Sequence, residues 1–176
     1  GFVDVGMLSN LYSYNDVEGG RIRMGVRTNS RLYKPLVLEG YGAYGLRDLR
    51  WKYQAGATYS FNGKVPRAFP RNQLSVSWQK DLRIPGLSLD KIDQDNTILS
   101  FQRASRDKML FNTVLKLEYK REYNNQFSYS LVALRKVFDS AGVLSFEVSG
   151  SDPENPQYAP PLNTAEVGVY MRYAPN

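Results

Sequence analysis

From Gly20 onward, apolar and polar side chains alternate with a period of two through segment after segment of the chain. In Arg21-Ile22-Arg23-Met24-Gly25-Val26-Arg27, the residues Ile22, Met24 and Val26 stand against Arg21, Arg23, Gly25 and Arg27. Successive side chains of a β-strand point to opposite faces, so a period of two separates these sets where a helix would mix them. The same reading recurs where Leu74, Val76 and Trp78 oppose Gln73, Ser75, Ser77 and Gln79, and where Leu115, Leu117 and Tyr119 oppose Lys116, Glu118 and Lys120. Phe127, Tyr129 and Leu131 oppose Ser128 and Ser130, and Leu144, Phe146 and Val148 oppose Ser145, Glu147 and Ser149. Finally Ala165, Val167, Val169, Met171 and Tyr173 oppose Glu166, Gly168, Tyr170 and Arg172. Segments 36–46, 50–61 and 97–104 are compatible but less regular, and 2–14 has room for one more strand.

Short connections are expected at Arg47-Asp48-Leu49, Ser105–Lys108, Asn124-Asn125 and Asp139–Gly142, all rich in residues that tolerate turns. Longer loops are expected at 62–72, 83–95 and 150–163, which carry Pro66, Pro70, Pro85, Pro153, Pro156, Pro160 and Pro161. Proline cannot donate to a sheet ladder. These loops do not fall at every second connection, which argues against a simple small barrel.

Three features favour a membrane over water as the partner of the apolar face. Strands of about 10 residues match a tilted membrane strand better than the 5–6 usual in soluble sheets. Aromatics gather near strand ends, including Tyr44, Trp51, Tyr53, Tyr59, Phe61, Trp78, Tyr119, Tyr123, Phe127 and Tyr173, as in the girdles of outer-membrane barrels. The polar positions carry fixed charges: Arg21, Arg23, Arg27, Glu39, Lys52, Lys116, Glu118, Lys120, Glu147, Glu166 and Arg172. An Arg or Lys facing lipid at mid-depth costs about 2–4 kcal/mol, so these side chains are expected to line a hydrated, salt-bridged lumen. The expected fold is all-β: an antiparallel transmembrane barrel, or a curved segment of a larger one, with about eight to ten strands. One segment covers 1–176, with 1–19 as a first strand or lead-in and 20–176 as a meander. A soluble β-sandwich is the alternative.

Composition narrows the chemistry. The 176 residues are 42% hydrophobic and 13% aromatic, enough for a sizeable apolar surface. No apolar run is long enough for a membrane-spanning helix. The absence of cysteine removes disulfides and thiolate metal sites, and the absence of histidine removes Ser-His-Asp chemistry and most zinc sites. The net charge of +6 is spread along the strands with no basic block, which argues against a nucleic-acid partner. Gly40-Tyr41-Gly42-Ala43-Tyr44-Gly45 satisfies the dinucleotide pattern G-x-G-x-x-G, but that motif needs a helix after it, and Trp51-Lys52-Tyr53-Gln54-Ala55 opens another strand. Asp90, Asp93 and Asp95 share one loop without the glycine and terminal glutamate of a calcium loop. Like Asp152 and Glu154, they are expected to be solvated. No cofactor, metal or catalytic residue is expected, and no enzymatic activity.

The stretch from Asn10 to Asn29, above all Val17-Glu18-Gly19-Gly20-Arg21-Ile22-Arg23-Met24-Gly25-Val26-Arg27-Thr28, resembles the start of the barrel in a family of Gram-negative outer-membrane proteins. In these a carboxypeptidase-regulatory-like domain precedes a large barrel of unknown function. Glu39–Gly45, Lys52–Ser60, Asp107–Asn112, Lys116–Tyr119 and Val167–Asn176 carry the resemblance further, and it extends distantly to the surface-antigen barrels that insert outer-membrane proteins. It implies a bacterial outer-membrane location, lipid as partner, and additional strands supplied by the same chain or a neighbouring protein. The expected role is a scaffold or a transport or assembly element; the alternatives are a small passive pore and a soluble all-β binding module.

Overall fold

The computed structural model describes residues 1–6, 11–15, 18–83, 108–142 and 160–174. They form nine strands: β1 (Val3–Val5), β2 (Tyr12–Asn15), β3 (Gly19–Thr28), β4 (Leu36–Gly45), β5 (Trp51–Ser60), β6 (Asn72–Arg83), β7 (Lys108–Glu122), β8 (Phe127–Gly142) and β9 (Leu162–Tyr173). All belong to one antiparallel sheet in which β3 to β9 follow chain order. The possible strand within 2–14 is two short ones, β1 and β2, which share the outer edge of β3. Among the described residues β9 pairs with β8 alone, so the sheet does not close on itself.

The ladders carry the alternation across the sheet. Arg27 faces Glu39, Glu39 faces Gly56, Gly56 faces Ser77, Ser77 faces Lys116, Lys116 faces Leu134 and Leu134 faces Glu166. Directly opposed residues point the same way, so this row lies on one face, called here the polar face. Its neighbour, Val26, Gly40, Ala55, Trp78, Leu115, Arg135 and Ala165, lies on the other.

The sheet has two ends. The residues around Glu18 and the 46–50 turn lie at the upper end, and the 29–35, 61–71 and 123–126 connections lie at the lower. Arg83, Lys108, Gly142 and Leu162, the strand ends that flank the segments outside the described residues, all lie at the upper end. The expected turn at Asp139–Gly142 is instead strand, because β8 continues to pair with Lys108–Phe111 of β7. The expected strands at 97–104 and 144–148 lie outside the described residues, as do Asp90, Asp93, Asp95, Glu147, Asp152 and Glu154.

The local turns follow from side-chain acceptors. Asp48 Oδ1 accepts the Arg50 N–H at 3.2 Å, and Asn125 Oδ1 accepts the Phe127 N–H at 3.2 Å beside Gln126, whose φ is 65°. At the lower end the 61–71 connection folds back over the polar face: Pro66 is buried, and the Arg67 N–H donates to Gln73 Oε1 at 3.1 Å.

Candidate functional site

Burial departs from that of a water-soluble sheet, although Val37, Leu110, Val114 and Val132 are buried on the polar face. The largest fully buried side chains are Lys52 and Glu18, whereas Val167 and Met171 are 85% and 71% exposed, and Ile22, Met24, Val26, Trp51, Trp78, Leu115, Leu117 and Val169 are exposed as well. Every exposed member of that set stands on the apolar face by register. Among the described strand residues, the charged residues at apolar-face positions are Lys80 and Asp139 towards the upper end, Arg121 at the lower end, and Arg135 at mid-height in the row of Ala55, Trp78, Leu115 and Ala165.

The polar face collects the ionic side chains. At the upper end Lys52 Nζ lies 2.6 Å from Glu18 Oε1 and 2.5 Å from Asp48 Oδ2. Arg21 reaches Glu18 at 3.6 Å and Asp81 at 3.0 Å. The Tyr41 hydroxyl donates to the same Asp81 oxygen and accepts from Gln79 Nε2 at 3.0 Å, while the Arg23 guanidinium stacks 3.8 Å from the Tyr41 ring centre. Asp81 Oδ1 takes the Leu82 N–H at 2.8 Å. Three acids thus meet two cations in a region from which water is largely excluded, where each pair needs good geometry to offset its desolvation.

This network also reports the shape of the sheet. Arg21 and Asp81 sit on β3 and β6, with β4 and β5 between them. On a flat sheet those strands would be about 14 Å apart, more than the two side chains can bridge. Their 3.0 Å contact therefore requires the sheet to curl towards its polar face. At the upper end the curl brings β7 in as well, since the Phe111 ring lies 4.6 Å from the Arg50 guanidinium and 5.9 Å from Lys52 Nζ. Leu82 and Phe111 are both buried there, and the strict two-face division ends.

Small residues make room for the charges. A Cβ on Gly45 would collide with the Asp48 carboxylate and stand 2.7 Å from Lys52 Nζ; Ala43 is buried on the same face. Within the G-x-G-x-x-G stretch, Gly40 has a different reason, as its Cβ would lie 2.8 Å from the Gln54 carbonyl oxygen.

Lower down, the charges pair locally. Arg27 lies 3.8 Å from Glu39, Lys116 2.8 Å from Glu118, Lys120 3.9 Å from Glu122, and Lys136 2.7 Å from Glu166. With Thr58, Gln73, Ser75, Ser77 and the folded-back Pro66 and Arg67, the first two pairs line a cleft of about 300 Å³. Of the charges expected on one face, Arg21, Arg23, Arg27, Glu39, Lys52, Lys116, Glu118, Lys120, Glu166 and Arg172 share it by register. Arg21 and Lys52 enter the buried network, and the others are more open.

The residues that complete that network, Glu18, Asp48, Asp81 and Tyr41, were not among those expected from the pattern. Two of the acids sit in turns. The only sequence signal was for Asp81, which continues the polar parity of Gln73, Ser75, Ser77 and Gln79. Among the described residues no group of three or more ligand side chains is placed to hold a metal ion; the three acids meet Lys52 and Arg21 instead. No family model, no curated protein and no solved structure matches the chain.

Proposed function

We propose that this sheet is part of the wall of a non-enzymatic outer-membrane β-barrel, with its apolar face in lipid and its polar face towards a hydrated interior. The observation that carries the reading is the pattern of burial: Lys52 and Glu18 are enclosed while Val167, Met171 and Trp51 stand exposed. In water the exposed apolar face would be a large unsatisfied surface; in hydrocarbon it is the natural outside. Along β9 the outward residues Ala165, Val167, Val169, Met171 and Tyr173 cover a strand length of about 26 Å, or about 20 Å along the membrane normal at a tilt near 40°.

The edge of β9 has no partner among the described residues, and the membrane reading requires strands to cover it, from the same chain or a neighbouring one, because unpaired backbone groups cost several kcal/mol each in lipid. A scaffold or an element of transport or assembly is favoured over a selective pore. The interior charges neutralise one another in pairs and leave little net field to select ions.

The test is partition. The protein is expected to need detergent or bilayer to stay dispersed and to fold on addition of lipid vesicles. A monodisperse, folded protein in detergent-free buffer would overturn the proposal.

A further inference from the structure

The geometry points to a binding site for the phosphate of a membrane lipid at the lower rim of the apolar face, centred on Arg121; the inference rests on the membrane reading above. Arg121 occupies an apolar-face position on β7, opposite Asn72 and Tyr129. It is the one charged residue of that face at the lower end of the described strands. No described carboxylate lies within ion-pair distance of it, whereas its neighbours Lys120 and Glu122 pair on the polar side.

Around it runs a continuous belt of rings. Tyr59 meets Phe61 at 5.3 Å between ring centres, Phe61 meets Tyr119 at 6.3 Å, Tyr119 meets Tyr129 at 6.0 Å, and Tyr129 meets Tyr123 at 6.3 Å. The Arg121 guanidinium lies 5.0 Å from the centre of the Tyr123 ring. The guanidinium also hydrogen-bonds the Tyr119 hydroxyl, and stacking on a ring leaves its remaining N–H groups able to donate. A planar fork of donors among tyrosine hydroxyls suits a phosphate, which accepts several charge-assisted hydrogen bonds at once.

Position selects the source of that phosphate. Immediately above Arg121 on the same face come Tyr119, Leu117 and Leu115, continued sideways by Val76, Leu131 and Val169. An acyl chain lying on that surface brings its own headgroup to the level of the tyrosine belt, where amphipathic rings settle. Free phosphate gains only the Arg121 contact, whereas a lipid gains the contact and the apolar surface together. The site is therefore assigned to a lipid and not to a soluble anion.

The experiment compares spin-labelled phosphatidylglycerol with spin-labelled diacylglycerol, which has the same chains and no phosphate, for association with the protein in nanodiscs at low salt. The wild type is expected to enrich the phosphatidylglycerol by about fivefold, the contribution of one arginine near an anionic surface. Arg121→Gln is expected to abolish that enrichment, Arg121→Lys to keep part of it, and Lys120→Gln, on the opposite face, to leave it intact. Excess inorganic phosphate is expected to leave the lipid bound. Equal losses in Arg121→Gln and Lys120→Gln would show a general charge effect and overturn the site, and displacement by inorganic phosphate would overturn its assignment to lipid. Normal incorporation without enrichment would sink this inference alone, whereas failure of every form to enter the bilayer would sink the membrane reading with it.

Discussion

Replacing Lys52 by methionine isolates the energetic role of the buried network. The Lys52 ammonium has no exposed surface and lies 2.6 Å from Glu18, itself fully buried, and 2.5 Å from Asp48, which is 11% exposed. Methionine keeps most of the side-chain volume and removes the charge, so the loss is electrostatic. Breaking a buried pair by removing one partner costs about 3–5 kcal/mol, because the other charge stays buried. Asp48 retains some contact with solvent and its bond to the Arg50 N–H, and Glu18 retains Arg21 at 3.6 Å. Both place Lys52→Met near the lower end, at about 3 kcal/mol. Adding Glu18→Gln neutralises the stranded carboxylate and is expected to recover roughly half of that. The matched control is Lys136→Met: its partner Glu166 is 52% exposed and can rehydrate, so the cost is about 1 kcal/mol or less. Urea titration of the protein folded into vesicles, followed by tryptophan fluorescence with Trp51 beside the altered residue, measures all three. Equal losses at Lys52 and Lys136, or a double variant no better than Lys52→Met, would refute the argument.

Facing is tested by a neighbouring pair on β7: Leu117→Arg is expected to weaken folding into vesicles by about 2–4 kcal/mol and Lys116→Gln to be nearly silent, and equal effects would contradict the assignment of faces. The three glycines of β4 separate by what a methyl would meet, namely nothing within 4 Å at Gly42, the Gln54 carbonyl at 2.8 Å at Gly40, and Asp48 with Lys52 at Gly45. Gly42→Ala is therefore expected to be tolerated, and Gly40→Ala and Gly45→Ala to cost about 1–3 kcal/mol each in the same titration. Tyr41→Phe removes the hydroxyl shared by Asp81 and Gln79, with an expected loss of about 1–3 kcal/mol; a change within error would show that the hydroxyl is satisfied equally well by water in the unfolded chain.

The faces of the strands were legible because a period of two survives wherever one side is uniformly apolar, as in 21–27, 115–120 and 165–173. The reading stopped at Leu131 on β8 because the pattern itself stops there. Val132 and Leu134 stand on the polar face and Arg135 on the other, so the upper half of β8 is held by its long ladder with β7 and not by a clean division of sides. The expected turn at Asp139–Gly142 failed for the same reason: turn-prone residues were overruled by a partner strand already in register. The buried network was invisible for another reason. Glu18, Asp48 and Asp81 come from the turn before β3, the 46–50 turn and the far end of β6, and only the curl of the sheet brings them together, which no spacing along the chain encodes.

The meander order has a kinetic consequence. Among the described residues, every strand from β4 to β9 pairs only with its neighbours in the chain, so little loop entropy opposes most of these pairings. The β7–β8 hairpin has the best start, since only residues 123–126 separate strands whose register runs from Lys108–Gly142 to Glu122–Ser128. It is expected to form first, with β9 and β6 adding on either side. Lys52 and Arg21 find Glu18 and Asp81 only after β3 to β6 are assembled, so substitutions in the network should act mainly on the unfolding rate and those in the 123–126 turn mainly on the folding rate.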